Sequence, residues 1–194
     1  MNKKMDLIPY PHELKLRKGF FNMGVRAVKM FLSGVTEADS ARLLGAAERL
    51  GAVTRVGEAS DANIVLEVSS DLEFPASVRA DVLDQGYALE ISATGVRARS
   101  RSACGLFYAL QTLLQLGREK KYPCCAIRDW PDLPFRALHI PGFGNIPAYN
   151  DLLKIVAQMA VWKYNALVLE YDDRFSFDRY PVLNHPSALT KDQI

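Results

Sequence analysis

The sequence predicts an α+β domain, a mostly antiparallel sheet with two helices, followed by a separate strand-helix-strand piece. Three observations predict it. Alternating strand runs and two helical runs occupy the chain up to about residue 128. Asp129-Trp130-Pro131-Asp132-Leu133-Pro134 then carries two prolines, which excludes helix and central strand and marks an ordered linker. Beyond it a short apolar strand, a helix and an unbroken apolar run follow at the spacing of one βαβ unit.

The first helix is expected over Thr36–Gly51. Thr36 can cap it with Asp39 three residues on, Leu43, Ala47 and Leu50 share a face, and Gly51 supplies the left-handed stop. A strand follows at 62–69, where Ile64, Leu66 and Val68 alternate with Val65 and Glu67. Tyr87, Leu89 and Ile91 then alternate with Ala88, Glu90 and Ser92 before Thr94-Gly95 turns the chain into a second strand over 96–101, which predicts a hairpin. Residues 103–117 form the clearest helix, with Ala103, Leu106, Phe107, Leu110, Leu113 and Leu114 at a 3.6-residue period and Gly117 closing it. Past the linker, 135–140 reads as a strand and 149–164 as a helix with Leu152, Leu153, Val156, Met159 and Ala160 inward. Ala166 to Leu169 reads as a strand buried on both faces.

Composition excludes several function classes. The chain has 194 residues, 49% hydrophobic and 24% charged, which rules out disorder, collagen and coiled-coil rods. Lys plus Arg number 24 against 22 Asp plus Glu, so no whole-chain field points to nucleic acid or anionic lipid. Nowhere do about 18 apolar residues run together, so no membrane span is expected. The polar start, Met1-Asn2-Lys3-Lys4-Met5-Asp6, is unlike a signal peptide and predicts a cytoplasmic protein, or a secreted or periplasmic one from which a signal peptide has been removed. Cys104, Cys124 and Cys125 are an odd count without zinc spacing, so reduced thiols are expected and no metal site.

Four stretches carry motifs of one protein family. Leu7-Ile8-Pro9-Tyr10-Pro11 is similar to the family's opening iiPxP. Gly86-Tyr87-Ala88-Leu89-Glu90-Ile91, with Gly105-Leu106-Phe107-Tyr108-Ala109-Leu110-Gln111-Thr112-Leu113-Leu114-Gln115-Leu116, is similar to its GYxLxI…GxfyalQTLxQL run. Residues 123–136 resemble its PxxxIxDxPxxxxRG passage, and Tyr164-Asn165-Ala166-Leu167-Val168-Leu169-Glu170-Tyr171-Asp172-Asp173, with Tyr180-Pro181-Val182-Leu183 behind it, resembles its second barrel strand and following loop. Together these stretches resemble glycoside hydrolase family 20, the β-N-acetylhexosaminidases, and the resemblance implies an accessory α+β domain at 1–128 and, at 134–194, the N-terminal part of an incomplete (β/α)8 catalytic barrel. It implies hydrolysis of terminal N-acetylhexosamine by substrate-assisted retaining catalysis, a carbohydrate partner and no cofactor.

Two departures qualify what the resemblance implies. The family's adjacent Asp-Glu catalytic pair is absent from these residues, and a barrel takes roughly 250 residues where only those from Arg136 to Ile194 remain. No catalytic residue is therefore assigned, and the expectation is a fragment without activity of its own; the alternative is a non-catalytic carbohydrate-associated or protein-interaction module. In the register of the family's RGxxxDxxR, Pro141 takes the Asp position and Gly144 the Arg position, and the Glu170–Phe175 stretch is similar to the hexosaminidase D-like branch.

Glu170, Asp172 and Asp173 sit where a barrel strand reaches its C-terminal end, so they are the candidate substrate-binding carboxylates, equally suited to a helix cap or an ion pair with Arg174. His139 has no partner at a plausible sequence spacing and is expected to be a packed structural histidine. Arg97, Arg99 and Arg101 at period two are expected to decorate a solvated sheet face. Gly142-Phe143-Gly144 lacks the third glycine and the Lys-Ser/Thr of a nucleotide loop. Barrel strands left open would favour a homo-oligomer.

Overall fold

The computed structural model describes residues 5–24, 27–142, 147–170 and 172–193. Its chain divides into two units, Met1–Pro134 and Phe135–Ile194.

Unit 1 runs β1 (Glu13–Asn22), β2 (Val28–Ser33), α1 (Glu37–Ala47), β3 (Val53–Arg55), β4 (Ile64–Val68), β5 (Tyr87–Ser92), β6 (Gly95–Ser100), α2 (Ala103–Leu116) and β7 (Lys121–Asp129). The strands form one seven-stranded sheet in the order β1-β7-β5-β6-β4-β2-β3. The expected mostly antiparallel sheet is corrected to a mixed one. β1–β7, β7–β5 and β5–β6 are antiparallel, whereas β6–β4, β4–β2 and β2–β3 are parallel. Parallel neighbours need a long return connection; α1 supplies it after β2, and the 69–86 segment with β5 supplies it after β4. A bulge shifts the β1–β7 register between Leu16 and Phe20, where Gly19 adopts φ 100°.

The expected cap of α1 is present: the Thr36 hydroxyl accepts from the Asp39 N–H at 3.1 Å and donates to the Asp39 carboxylate at 2.8 Å. Helix α2 is buried on more than one side, because β4, β5, β6 and β7 cover one face and α1 covers another. Leu106, Leu110 and Leu113 are at most 1% exposed, the core positions where truncation to Ala costs about 2–5 kcal/mol each. Gly117 closes the helix with an ordinary negative φ. What requires glycine there is space, since a Cβ would stand 2.6 Å from the Tyr122 ring.

The motif residues of unit 1 hold one another together. The Gln115 side chain accepts from Ile8 N–H and donates to Ile8 C=O, both at 2.8 Å, so it pairs the 7–11 segment with the end of α2. Tyr87, fully buried, donates its hydroxyl to Asp129 at 3.0 Å and lies 2.6 Å from the Thr112 hydroxyl. Burial, then the nearby Asp129 carboxylate, pushes the Tyr87 hydroxyl well above its ordinary pKa. His12 closes the chain: its N–H donates to Asp129 at 3.3 Å, while its ring lies 3.2 Å from Asp129, 3.1 Å from Asp132 and stacked on Trp130 at 4.5 Å.

Cys104 is exposed and Cys124 and Cys125 are buried in β7, each with its thiol reduced. Burial, then the neighbouring Cys124, pushes the Cys125 thiol up to about 11. The thiolate is the reactive form, so iodoacetamide should modify Cys104 in the native protein and reach Cys124 and Cys125 only after denaturation, as peptide mass spectrometry would show.

Unit 2 comprises β8 (Ala137–Ile140), α3 (Tyr149–Val161) and β9 (Ala166–Leu169), with β8 and β9 paired in parallel as a two-stranded sheet. The turn out of α3 is tied to the strand entrance: Arg136 donates its Nε to Lys163 C=O and its N–H to the Asn165 side chain, both at 2.8 Å. Two expectations are corrected. Leu153 and Val156 are not inward but 50% and 45% exposed, because Leu152, Ile155 and Met159 define the face of α3 that meets the strands. Nor is the 166–169 strand buried on both faces, since Val168 is 44% exposed. No described helix is long and apolar enough to cross a membrane.

Candidate functional site

Parallel pairing puts the two C-terminal ends of β8 and β9 side by side. The register matches His139 with Val168 and Ile140 with Leu169, and the Glu170 N–H extends the ladder to Ile140 C=O at 3.0 Å. Side chains alternate across a strand, so His139, Val168 and Glu170 share a face opposite to Leu138 and Ile140, which line an apolar hollow of about 420 Å³ with Ile155, Met159, Trp162 and Tyr164. On their shared face the His139 Nε2 and a Glu170 carboxylate oxygen meet at 2.8 Å. The other carboxylate oxygen accepts the Gly142 N–H at 3.3 Å.

His139 is therefore not the packed structural histidine expected from its isolation in the sequence. It is 52% exposed and paired with Glu170, itself 51% exposed. Its partner lies 31 residues away, and only the register of a parallel pair brings the two together. The Gly142 N–H, and after it His139, hold the Glu170 carboxyl below the usual carboxylate range. A depressed folded value means that the ionised group favours the fold above the ordinary carboxylate range and that this contribution fades as pH falls through the folded value. Replacing His139 with Ala should move the Glu170 titration midpoint upward while the Gly142 N–H still keeps it partly depressed; side-chain carboxyl ¹³C NMR against pH measures both.

Of the remaining candidates, Asp173 has partners of its own. Asp173 sits in a one-turn helix, Asp172–Arg174, with its backbone C=O accepting from His185 N–H at 2.8 Å and its carboxylate 3.6 Å from Arg174 Nε. The carboxylate thus takes the loop ion-pair arrangement. Asp172 opens that turn, and its side chain lies outside the described residues, as do Phe143 and Gly144 of the glycine run and Tyr171. Of the three arginines, Arg97 pairs with Glu67 at 3.3 Å, and Arg99 and Arg101 pin the 69–72 loop through Ser69, Asp71 and Leu72 C=O. Among the described residues no group of three His, Cys, Asp or Glu is arranged to hold a metal ion.

The family model "Glycosyl hydrolase family 20, domain 2" matches residues 4–130, and the chain belongs to that family. It is 35% identical over 127 residues to a beta-hexosaminidase of Akkermansia muciniphila, covering 62% of this chain and 24% of that protein. It is 26% identical over 122 residues to the beta-hexosaminidase subunit beta of Entamoeba histolytica, covering 58% of this chain and 22% of that one. The chain thus spans about a quarter or less of these relatives. The fold is shared with the β-N-acetylhexosaminidase of Bacteroides fragilis (TM-score 0.77, 17% identity, 96% of this chain and 40% of that one). It is shared also with the chitobiase of Flavobacterium johnsoniae (TM-score 0.77, 18% identity, 97% and 32%).

Proposed function

We propose that unit 2 is the opening strand, helix and strand of a (β/α)8 catalytic barrel. The whole protein, on this reading, hydrolyses terminal N-acetylhexosamine residues, with the substrate's own acetamido group as nucleophile. The observation that carries this reading is the Glu170 carboxylate, standing just past the C-terminal end of β9 and fixed by Gly142 and His139, where active sites of this barrel are built. Glu170 accepts hydrogen bonds from sugar hydroxyls, and Asp172 and Asp173 lie close along the chain. A structure of the Streptomyces plicatus N-acetyl-β-hexosaminidase holds Thio-NAglucal, and one of the Vibrio harveyi exo-β-N-acetylglucosaminidase holds N-acetylglucosamine, which supports an N-acetylhexosamine as the ligand. The acid Glu and the acetamido-orienting Asp are not among these 194 residues.

The test is titration of the chain with N-acetylglucosamine, read at the His139 ring and the Glu170 amide by NMR, beside an assay on a chromogenic N-acetyl-β-glucosaminide. Expected are shifts at both groups, lost in Glu170→Gln, and no turnover. A His139 ring that stays unmoved at tens of millimolar sugar, or turnover by this chain alone, would sink the reading.

A second reading, a non-catalytic module, is favoured by unit 1 closing its own hydrophobic core from Leu7 to Ile127. On either reading β8 and β9 each have one strand partner among the described residues, and Val168 of β9 is exposed. Light scattering should therefore give a dimer or larger assembly; a monodisperse monomer with exchange-protected amides over 166–169 would contradict it.

A further inference from the structure

The sheet face of unit 1 opposite its two helices has a pattern of its own. In register across it, one row reads Glu13, Arg128, Ala88, Arg99, Glu67 from β1 to β4, and the next reads Lys15, Ala126, Glu90, Arg97, Val65. Long charged side chains thus surround two alanines at the centre. Ala88 and Ala126 form a low floor, and Arg97, Arg99, Arg128, Glu67 and Glu90 stand around it, enclosing a basin of about 440 Å³. That volume lies within the range of small-molecule sites, roughly 300–1,000 Å³.

The charge arrangement selects the ligand. Arg128 and Arg99 flank Ala88 on the neighbouring strands, about 10 Å apart at two strand spacings. Three rim ion pairs are long, Arg97–Glu67 at 3.3 Å, Arg17–Glu90 at 3.4 Å and Arg128–Glu13 at 3.6 Å, against about 2.7–2.9 Å for a tight charged hydrogen bond; the fourth, Arg99–Asp71, is tight at 2.9 Å, and Arg128 also donates to Glu73 C=O. Arg99 reaches Ser69 and Asp71 through one nitrogen, Nη2, of a fork with five N–H donors. Three guanidiniums face two carboxylates in the lining, and Asp71 on Arg99, Glu13 on Arg128 and Arg17 on Glu90 balance them from just outside it. A phosphate dianion would meet repulsion from Glu67 and Glu90, whereas those same carboxylates accept hydrogen bonds from hydroxyls. A ligand with one carboxylate and several hydroxyls satisfies both sets.

We propose that this basin binds a carboxylate-bearing sugar, a uronic or sialic acid, with its carboxylate on the arginines and its hydroxyls on Glu67 and Glu90. All of its residues belong to unit 1, so it stands independently of the reading given for Glu170.

Amide NMR of the whole chain tests it, with methyl β-glucuronide and methyl α-sialoside as probes and methyl β-glucoside, acetate and inorganic phosphate as controls. One or both acidic sugars should shift the Ala88, Arg97, Arg99, Ala126 and Arg128 amides with Kd of about 1 mM, and the arm that responds identifies the acid. Ala126→Leu, which fills the floor and keeps every charge, should abolish the shifts, and Arg97→Gln, at a half-exposed position, should weaken binding about tenfold. Spectra unchanged outside the basin verify the fold of both variants. No shift with either acidic sugar, or equal shifts with acetate, phosphate or the neutral glucoside, would overturn the proposal.

Discussion

Gly105→Ala should lower the stability of unit 1 by about 3 kcal/mol, combining overpacking of about 1–3 kcal/mol with a buried hydrogen bond worth about 1 kcal/mol. Gly105 lies in the first turn of α2 with an ordinary helical backbone, so the penalty is spatial rather than torsional. A Cβ there would stand 2.0 Å from the Ser100 hydroxyl and 2.3 Å from Gly86 C=O. Those two atoms already form a buried hydrogen bond of 2.7 Å that joins β6 to the residue before β5. A methyl group must displace the helix start or break that bond. With marginal stability of about 5–15 kcal/mol for a whole domain, the loss is large and should appear as a shifted urea midpoint. Gly45→Ala is the control, since a Cβ on this exposed position of α1 meets nothing within 4 Å; it should stabilise by about 0.5–1 kcal/mol.

Asp129→Ala should cost about 1.5–3 kcal/mol, the range for losing a hydrogen bond to a charged group. Asp129 is 5% exposed and accepts from the buried Tyr87 hydroxyl and from His12 N–H. Its removal frees the 12–14 entrance to β1 and leaves Tyr87 with Thr112 as its nearest polar partner. Asp129→Asn keeps an acceptor for Tyr87 and should cost less. Tyr87→Phe should cost about 1–3 kcal/mol, and because both residues serve one network, the double variant should fall short of the sum. Equal, additive losses in urea unfolding would show instead that the two side chains act separately.

Much of the local structure was legible in the sequence, and the reasons are local. The Thr36-Asp39 cap, the 3.6-residue period of α2 and the hairpin turn each act within a few residues; the cap and the helix form where their signals lie, and the hairpin turns at Ala93-Thr94, with Gly95 already the first residue of β6. β1 left no such signal: Lys15, Arg17 and Lys18 interrupt its apolar positions, because an edge strand beside a bulge need not alternate. Parallel pairing of β2, β4 and β6 is also silent, since strand patterns do not record which neighbour the chain chooses or in which direction. On α3, apolar residues at Leu153 and Val156 suggested a wider inner face than two short strands cover. Of the candidate site, Glu170 could be found from its place after an apolar strand. His139 could not be linked to it, because its meaning depends on register across the helix between them.

The bulge in β1 bears on how this chain meets others of its kind. An incoming strand needs a regular row of N–H and C=O groups to zip onto, and the register break between Leu16 and Phe20, set among Lys15, Arg17 and Lys18, denies it one. The opposite border of the same sheet is β3, only three residues long. Unit 1 therefore presents two borders that resist templated growth, whereas the parallel pair of unit 2 has no bulge at either edge and only the shortness of its four-residue strands to oppose it. In a concentrated solution, fibrillar or domain-swapped species would start from residues 137–169 and leave the larger sheet intact within them.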